Sequence, residues 1–222
     1  MKYVVIVGDG MADEAVPDLG GKTPLDVART DTLDEMAARG ILGLTRTIPR
    51  GYPAGSAVGL MSVLGYDPTR YYTGRSAIEA RGMGIALAPD DVVLACHLVT
   101  LETSEGGVEM MRDPAGGHPP ATEARQIFLD VGRALGRDGL EFHPGHGPRG
   151  VLVWRKGDNH VRTTPPHDVT GKPVLGAFPE GPGSEVVRDL IERSRAVLAE
   201  HPLCQARLAR GEGAPTAIWL WG

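Results

Sequence analysis

The hydrophobic and polar positions of the chain follow different periods in different segments, and each period predicts one kind of element. Residues 3–7 form a continuous apolar run rich in β-branched residues, without polar alternation, which is typical of a buried parallel strand. A second apolar run occupies residues 41–48 and is followed by a loop at 49–55. We therefore expect a buried strand at 3–7 and a second strand at 41–48.

Apolar residues recur at the helical period in other segments. The predicted helices span residues 31–39, 56–65, 121–135 and 184–200, with a short helix near 78–81. Thr30 or Asp31 can cap the first helix, and Gly40 stops it. Ser184 can cap the last one. The apolar face of the 121–135 helix comprises Ala124, Ile127, Phe128, Val131 and Leu135. The apolar face of the 184–200 helix comprises Val186, Val187, Leu190, Ile191, Val197 and Leu198.

Four further segments have strand patterns. They span residues 90–102, 106–112, 150–155 and 215–222, and the second is expected to be the hairpin partner of the first. Because strand and helix patterns alternate throughout the chain, the predicted fold class is α/β.

Charge and composition exclude several classes of protein. The net charge of -5 argues against a nucleic-acid binder, whose affinity needs a basic surface. No apolar run approaches the roughly 18 residues of a membrane span, and the N-terminus does not resemble a signal peptide. Cys96 and Cys204 lie far apart without metal-ligand spacing, as expected in a reducing cytosol. We therefore expect a cytoplasmic protein without a nucleic-acid or membrane partner.

The first predicted strand runs directly into the turn Gly8-Asp9-Gly10. A dinucleotide loop would need a third glycine where Asp13 stands, and two carboxylates would repel a pyrophosphate. A divalent metal ion suits the turn better, because carboxylate oxygens at the end of a buried strand are its preferred ligands. The alternative is that Asp9 only caps the turn, since Asp and Gly are ordinary turn residues.

Ser56 follows a glycine at the start of a predicted helix. The partial positive charge at a helix N-terminus favours an alkoxide and an incoming phosphoryl group. The alternative is an ordinary N-cap serine. The esterase pattern G-x-S-x-G does not apply, because positions 54 and 58 are Ala54 and Val58.

Several longer motifs occur one after another along the chain. They read "VGDGMADE", "LGGKTPLDVA", "GSAVGLMSVLGYDP", "YYTGRSAIEA", "MRDPAGGH", "PPHDVTGKP", "EHPLCQAR" and "PTAIWLWG". Together they resemble the archaeal-type cofactor-independent phosphoglycerate mutases of the alkaline phosphatase superfamily. The resemblance covers essentially the whole chain.

This resemblance implies an alkaline-phosphatase-like α/β domain with a mostly parallel sheet, incomplete in this chain, and an inserted α+β substrate domain. We expect the first domain at residues 1–86, the insertion at 87–214 and a return strand to the first domain at 215–222, because the sequence changes character near Pro89. The family holds two divalent ions, usually Mn²⁺, with Mg²⁺, Co²⁺ or Zn²⁺ as substitutes, and needs no 2,3-bisphosphoglycerate.

The resemblance also assigns residues to the chemistry. Ser56 is expected to be the nucleophile that takes the phosphoryl group of 3-phosphoglycerate and returns it to the 2-hydroxyl. Asp9 and Ser56 are the expected metal ligands, since metal coordination lowers the pKa of a serine and neutralises phosphoryl charge.

The expected substrate carries a phosphate and a carboxylate, so arginines are its expected partners. The candidate substrate-binding residues are Arg112, Asp113, His118, Arg149, His167 and Asp168. For each of them the alternative is a solvated surface residue or a turn cap. The partner is thus a small phosphorylated molecule, and a homo-oligomer remains open.

The sequence departs from the family at four places. Ala57 stands where the family typically has an acid after the serine, and Leu60 stands where asparagine is common. Gly150 replaces the histidine of a "Y-R-H" motif, and the asparagine of "N-L-V-T" is His97 here. Two of these changes lie beside Ser56 and bear on the choice of substrate.

Members of the family are also longer than this chain. Their later part carries most of the metal ligands, so we expect the 222 residues to be an N-terminal part that is inactive alone. The later strands should cover the first sheet, which predicts exposed apolar strand edges here or a partner chain that covers them.

Three functions therefore compete. The first is a metal-dependent phosphoglycerate mutase. The second is another metal-dependent phosphotransferase on the same scaffold, such as a small-molecule kinase or a phosphatase-like paralogue, which Ala57, Leu60 and Gly150 favour. The third is a stand-alone interaction module without enzymatic activity, which the missing metal ligands favour.

Overall fold

Five strands form one antiparallel sheet in the computed structural model, which describes residues 1–8 and 10–222. The strands are β1 (Val92–Thr103), β2 (Glu109–Asp113), β3 (Leu140–Pro144), β4 (Arg149–Trp154) and β5 (Ala217–Trp221). The long strand β1 pairs with β2, β4 and β5, and β4 pairs with β3. The predicted hairpin of β1 with β2 is therefore confirmed.

Alternate side chains of a strand point to opposite faces of the sheet, and the two faces have different covers here. One face packs against α6 (Ala121–Leu135) and α7 (Ser184–Ala199). Its core contains Leu94, Cys96 and Leu98 of β1. The buried residues of α6 are Ala124, Ile127, Phe128, Val131 and Leu135, as the helical pattern predicted.

The opposite face carries two separate apolar clusters. One joins Val93, Val151 and Val153 to Ala80 of α5 (Arg75–Gly82). The other comprises Ala95, Val99, Leu101, Met111, Val174, Ala177, Ala217, Trp219 and Trp221. Alternation along β1 and β4 puts His97 and Arg149 on this same face, so a polar site interrupts its apolar surface.

The start of α7 differs from the prediction. Gly183, not Ser184, is the N-cap, and its φ of 78° lies in the left-handed region that favours glycine. Ser184 is the first helical residue and is buried. The expected cap at Ser184 is therefore wrong, because a glycine in this conformation already turns the chain into the helix. Of the predicted apolar face, Val187, Leu190, Ile191 and Leu198 are buried, and Val186 and Val197 are partly buried.

The chain divides into two compact units, residues 1–72 and 73–222. The helices of the first unit are α1 (Pro24–Val27), α2 (Asp31–Arg39), α3 (Ser56–Val63) and α4 (Pro68–Tyr71). Thr30 occupies the N-cap position of α2 and Gly40 the C-cap position, as predicted, but the Thr30 side chain makes no capping hydrogen bond. The domain boundaries at 86/87 and 214/215 remain a prediction, while β5 pairs with β1 inside the second unit.

The strands predicted at 3–7 and 41–48 are wrong for the described structure. Neither segment has strand assignment, and neither pairs with another described segment. A β-strand exists only through hydrogen bonds to a neighbour, so an apolar run without such a neighbour stays irregular. The side chains of both runs are largely exposed.

One strand and one α-helix of the second unit were absent from the prediction, namely β3 and α8 (Pro202–Ala209). Both cysteines are unpaired and buried. None of the helices in residues 1–8 and 10–222 combines the length and the apolar character that crossing a bilayer requires.

Candidate functional site

The predicted nucleophile Ser56 is the first residue of α3. The N-cap is Gly55, whose φ of -162° and ψ of 157° are extended, so Ser56 is not itself the N-cap. The side chain of Ser56 is exposed at the end of the helix that carries the partial positive charge. A negatively charged group would be stabilised at this position.

Two residues at which the resemblance led us to expect a different side chain lie on α3, the helix that begins at Ser56. Ala57 directly follows Ser56 and is half-buried, and Leu60 is 38% exposed. Val58 is the buried residue of α3. Ala57 and Leu60 therefore present apolar groups on the less buried part of the helix that carries Ser56.

The predicted metal ligand Asp9 lies outside the described residues. Within the described part of the chain, no group of three or more His, Cys, Asp or Glu side chains is arranged to hold a metal ion. The described residues therefore do not by themselves fit a two-metal centre, and we derive no chemical step through one.

The candidates Asp113 and His118 belong to one tight turn. The Asp113 carboxylate accepts backbone hydrogen bonds from Ala115 at 2.8 Å and from Gly117 at 2.7 Å. His118 has a φ of 53°, and its Nε2 lies 3.7 Å from Asp113 Oδ2. Asp113 therefore shapes the turn, whereas the exposed His118 side chain is available at its end.

Arg207 stabilises this turn by hydrogen bonds to backbone carbonyl oxygens, a role that the sequence did not predict. Its buried guanidinium donates to the carbonyl oxygens of Gly117 at 2.8 Å and Gly213 at 2.7 Å. Its Nη1 also lies 3.1 Å from Glu123 and 3.2 Å from Glu212. Arg207 is the last residue of the motif "EHPLCQAR", but the motif does not predict which groups Arg207 contacts.

Arg112 lies in an acidic environment. Its Nε is 3.6 Å from a carboxylate oxygen of Glu102, and both side chains are exposed. The adjoining cleft of about 530 Å³ is also lined by Glu105. The surroundings of Arg112 are therefore less favourable for an anionic substrate than those of an arginine without a carboxylate neighbour.

Arg149 and His167 belong to a basic group that we call the Trp221 cluster. It comprises Arg75, His97, Arg149, His167 and Trp221. His97 of β1 and Arg149 of β4 are direct cross-strand partners. The His97 and His167 rings stand edge-on to the Trp221 ring, at centroid distances of 5.4 Å and 5.3 Å. The guanidinium carbon of Arg75 lies 6.0 Å from the centroid of the Trp221 ring.

The electrostatics of His97 reflect this crowding of basic groups. Burial is the largest cause that lowers the pKa of His97 from its ordinary 6.5 to about 4. The charges of Arg149, Arg75 and His167 act in the same direction. His97 is therefore neutral near pH 7, and its ring can both donate and accept a hydrogen bond.

Few carboxylates balance this cluster. Glu79 lies 3.8 Å from Arg75, and Asp168 lies 3.8 Å from His167. Among the described residues Arg149 forms no ion pair. The candidate Asp168 is thus exposed beside His167 and is the acidic neighbour of that ring.

Gly150 faces away from this cluster. A Cβ at Gly150 would lie 2.3 Å from Cζ of Phe128 and 2.5 Å from the carbonyl oxygen of His143. Arg149 points to the opposite face of the sheet, because successive residues of a strand alternate. Gly150 therefore belongs to the packing beneath α6 and not to the lining of the basic cluster.

Comparison with known proteins agrees with the motifs. The family model of the 2,3-bisphosphoglycerate-independent phosphoglycerate mutases matches residues 37–204. A Geobacter sulfurreducens protein named as a probable mutase of this type is 45% identical over 222 residues, covering 100% of this chain and 55% of that protein. A Methanosarcina barkeri mutase is 44% identical over 225 residues, with the same two coverages.

A solved structure points to the same class. The cofactor-independent phosphoglycerate mutase from Thermoplasma acidophilum matches with a TM-score of 0.55 and 26% identity, over 96% of this chain and 57% of that chain. The fold class is thus the alkaline-phosphatase-like α/β class of these mutases. The chain belongs to the 2,3-bisphosphoglycerate-independent phosphoglycerate mutase family, which confirms the resemblance. It spans about 55% of the length of the curated relatives that it matches.

Proposed function

We propose that the protein interconverts 3-phosphoglycerate and 2-phosphoglycerate without 2,3-bisphosphoglycerate. The observation that carries this proposal is 45% identity along the whole chain to a relative named for this activity. The family match over residues 37–204 supports it independently of any one relative.

In the proposed reaction Ser56 is the nucleophile. Its hydroxyl oxygen loses its proton and bonds to the phosphorus of 3-phosphoglycerate while the bond from phosphorus to the 3-oxygen breaks, and that oxygen takes up a proton to become the 3-hydroxyl. The 2-hydroxyl of the retained glycerate then loses its proton and its oxygen attacks the phosphorus of the phosphoserine, so that the Ser56 oxygen is released and takes up a proton. The place of Ser56 at the start of α3 supports this role, because the helix dipole favours negative charge there.

The proposal includes two divalent ions, with Mn²⁺ first and Mg²⁺, Co²⁺ or Zn²⁺ as substitutes. Asp9 and Ser56 are the ligands that we assign from this chain. Such ions would supply charge neutralisation at the phosphoryl group. Ligands beyond these 222 residues belong to the proposal, since relatives are nearly twice as long.

The substrate-binding part of the proposal divides into two groups. Arg149 and His167 have surroundings that favour an anion, so we rank them first. Arg112, Asp113 and His118 follow, with Asp168 as an acidic neighbour that would orient a substrate hydroxyl. The cytoplasmic location and a homo-oligomeric state remain predictions.

The test is a coupled mutase assay on the complete gene product with Mn²⁺. We expect Ser56→Ala to lower kcat by at least about a thousandfold, because it removes the nucleophile. Ser62→Ala is the matched control, since it makes the same change six residues later on α3. A Ser56→Ala protein with full activity contradicts the proposed nucleophile, and a wild-type protein without turnover contradicts the mutase.

Ala57 and Leu60 favour a second candidate, another metal-dependent phosphotransferase on the same scaffold. Both lie beside the proposed nucleophile and differ from the family in charge or polarity. A panel of phosphorylated metabolites and amino alcohols tests this alternative. It is excluded if phosphoglycerate is the only good substrate.

A further inference from the structure

Two buried polar groups at the Trp221 cluster have no hydrogen-bond partner. The indole Nε1 of Trp221 and the hydroxyl of Ser76 are both without one within the described residues. Trp221 is 8% exposed and Ser76 1% exposed. Buried donors are nearly always paired, because an unpaired one loses its hydrogen bonds to water without a replacement. The two groups are therefore candidate donors to a bound acceptor.

The unpaired hydroxyl of Ser76 lies at the end of β5 that carries Trp221. A Cβ built on Gly222 would be 2.6 Å from Oγ of Ser76, so this hydroxyl lies against the residue that follows Trp221. Ser76 is also the second residue of α5, which spans Arg75–Gly82. The positive end of the α5 dipole therefore adds to the charge of the neighbouring arginines.

Basic side chains outnumber carboxylates around these two groups. Arg149 has no ion pair within the described residues, and Arg75 contacts Glu79 only at 3.8 Å. An arginine guanidinium is ordinarily matched by a carboxylate or a phosphate, often through two parallel hydrogen bonds. An oxyanion beside Trp221 would offset the charge of the arginines, and the indole and Ser76 are further candidate donors to it.

We propose that the Trp221 cluster is an anion-binding subsite in which Arg75 and His97 act together with Arg149 and His167. The occupant is one oxyanion group of the substrate, its phosphate or its carboxylate. The assignment of Arg75 and His97 is new, whereas the identity of the complete substrate rests on the proposed function. Anion binding itself does not depend on that function.

His97 has a specific part in this subsite. Its position departs from the asparagine that the resemblance leads one to expect, and its ring faces Arg149 across the strands. A neutral imidazole donates one hydrogen bond to an oxyanion, as an asparagine amide can. Binding of an anion would also raise the pKa of His97, because it would offset the neighbouring positive charges.

The indole N–H resonances of the ¹⁵N-labelled 222-residue chain provide the test. The chain has 3 tryptophans, so three indole signals are expected, and Trp221→Phe assigns the signal of interest. The indole of Trp219 already donates to the carbonyl oxygen of Thr164 at 2.8 Å, so its signal is an internal control. The ligands are inorganic phosphate, glycerate and 3-phosphoglycerate, each titrated separately.

We expect the Trp221 signal to shift in a saturable way while the Trp219 signal stays in place. A response to phosphate but not to glycerate identifies a phosphate subsite, and the reverse identifies a carboxylate subsite. Absence of a saturable shift with all three ligands overturns the proposal.

Arginine variants sharpen the test without disturbing the core. We expect Arg75→Gln and Arg149→Gln each to weaken binding of the responding anion about tenfold, as for the loss of one charged hydrogen bond. Arg125→Gln is the matched control, because Arg125 is exposed on α6, which covers the other face of the sheet. Equal affinity in all three variants overturns the assignment of the arginines.

His97→Asn separates the role of the ring from the charge of the arginines. We expect it to retain binding within about threefold, because the amide can replace one donor, whereas His97→Leu should lose about tenfold. A His97→Leu protein that binds like wild type removes His97 from the subsite. Anion binding without mutase turnover would contradict the proposed function alone, and turnover without an anion response would contradict this subsite alone.

Discussion

Two apolar runs of five residues have opposite surroundings in the two units. Residues 3–7 of the first unit are all exposed, from 50% at Val7 to 86% at Tyr3. Residues Ala217–Trp221 of the second unit form β5 and are all buried, with no more than 8% exposure. Both runs are apolar and of equal length, so composition alone does not explain the difference.

The difference lies in what each run pairs with. β5 pairs with β1 through five consecutive residue pairs, and its inner side packs on α7. Residues 3–7 have no strand partner among the described residues. Burying an apolar run therefore stabilises the fold, but the run becomes buried only where neighbouring strands and helices cover it.

The largest effect is expected from matched isoleucine substitutions in these two runs. Ile218→Ala should lower the free energy of unfolding by about 4 kcal/mol, because Ile218 is fully buried and its removal leaves a cavity. Ile6→Ala should change it by less than about 0.5 kcal/mol, since Ile6 is 81% exposed. Urea denaturation followed by far-UV circular dichroism, to which the helices of both units contribute, measures both. Equal losses in the two variants would remove the contrast between the units.

A second pair compares arginines. Arg207→Met should lower the free energy of unfolding by about 3 kcal/mol, because it leaves buried carbonyl oxygens and Glu123 unmatched. Arg39→Met removes an exposed pair with Glu35 and should cost less than about 0.5 kcal/mol. The same denaturation experiment applies, and an Arg207→Met protein as stable as wild type would show that the turn holds its shape without Arg207.

The sequence predicted the second unit far better than the first. The helices α6 and α7 and the strands β1, β2, β4 and β5 all occur near their predicted places. Their periodic patterns reflect a core that the same unit supplies, so local pattern and burial agree. The strands at 3–7 and 41–48 were wrong because their pattern refers to neighbours that the described residues do not provide.

The strand β3 and the helix α8 were missed for a different reason. β3 ends at Pro144 and carries His143 among mostly half-buried residues, so it has neither clear alternation nor a continuous apolar run. α8 begins at Pro202 and is short, and its cap is the side chain of His201, which accepts from the backbone of Leu203 at 3.2 Å. Histidine is not a residue that sequence rules treat as a cap.

The candidate site was predicted in part. Arg149 and His167 were named from their motifs, whereas the participation of Arg75 and His97 depends on tertiary structure. These four residues come from α5, β1, β4 and the short 3₁₀ helix Pro166–Val169. No spacing in the sequence indicates that these elements meet beside Trp221, because cross-strand register and helix packing determine it.

The third largest effect is expected for the pH dependence of the free energy of unfolding. It concerns the second unit, which contains all 7 histidines. The pKa of His97 falls to about 4 in the folded protein through burial and the charges of Arg149, Arg75 and His167. In the unfolded chain it returns to about 6.5. The unfolded state therefore binds more protons between these values, and stability falls as pH falls through this window.

The expected contribution of His97 to that loss is about 2–3 kcal/mol. Wild type and His97→Asn are compared by urea denaturation at about pH 7.5 and about pH 4.5. The wild type should lose more stability than the variant between the two conditions. His118→Asn serves as the control, because this histidine side chain is exposed. Identical pH dependence in wild type and His97→Asn would contradict the charge environment that we assign to the cluster.

The smallest effect is expected from two glycines. Gly150→Ala should lower the free energy of unfolding by about 1–2 kcal/mol, because its Cβ would lie 2.3 Å from Phe128 and 2.5 Å from a backbone oxygen. Gly43→Ala in the first unit meets no atom within 4 Å and should be neutral or slightly stabilising. Denaturation curves give the free energy of unfolding of each variant, and the Trp221 indole signal is recorded for Gly150→Ala as well. That signal should be unchanged in Gly150→Ala, since Gly150 faces α6, and a large shift would mean that position 150 does influence the basic cluster.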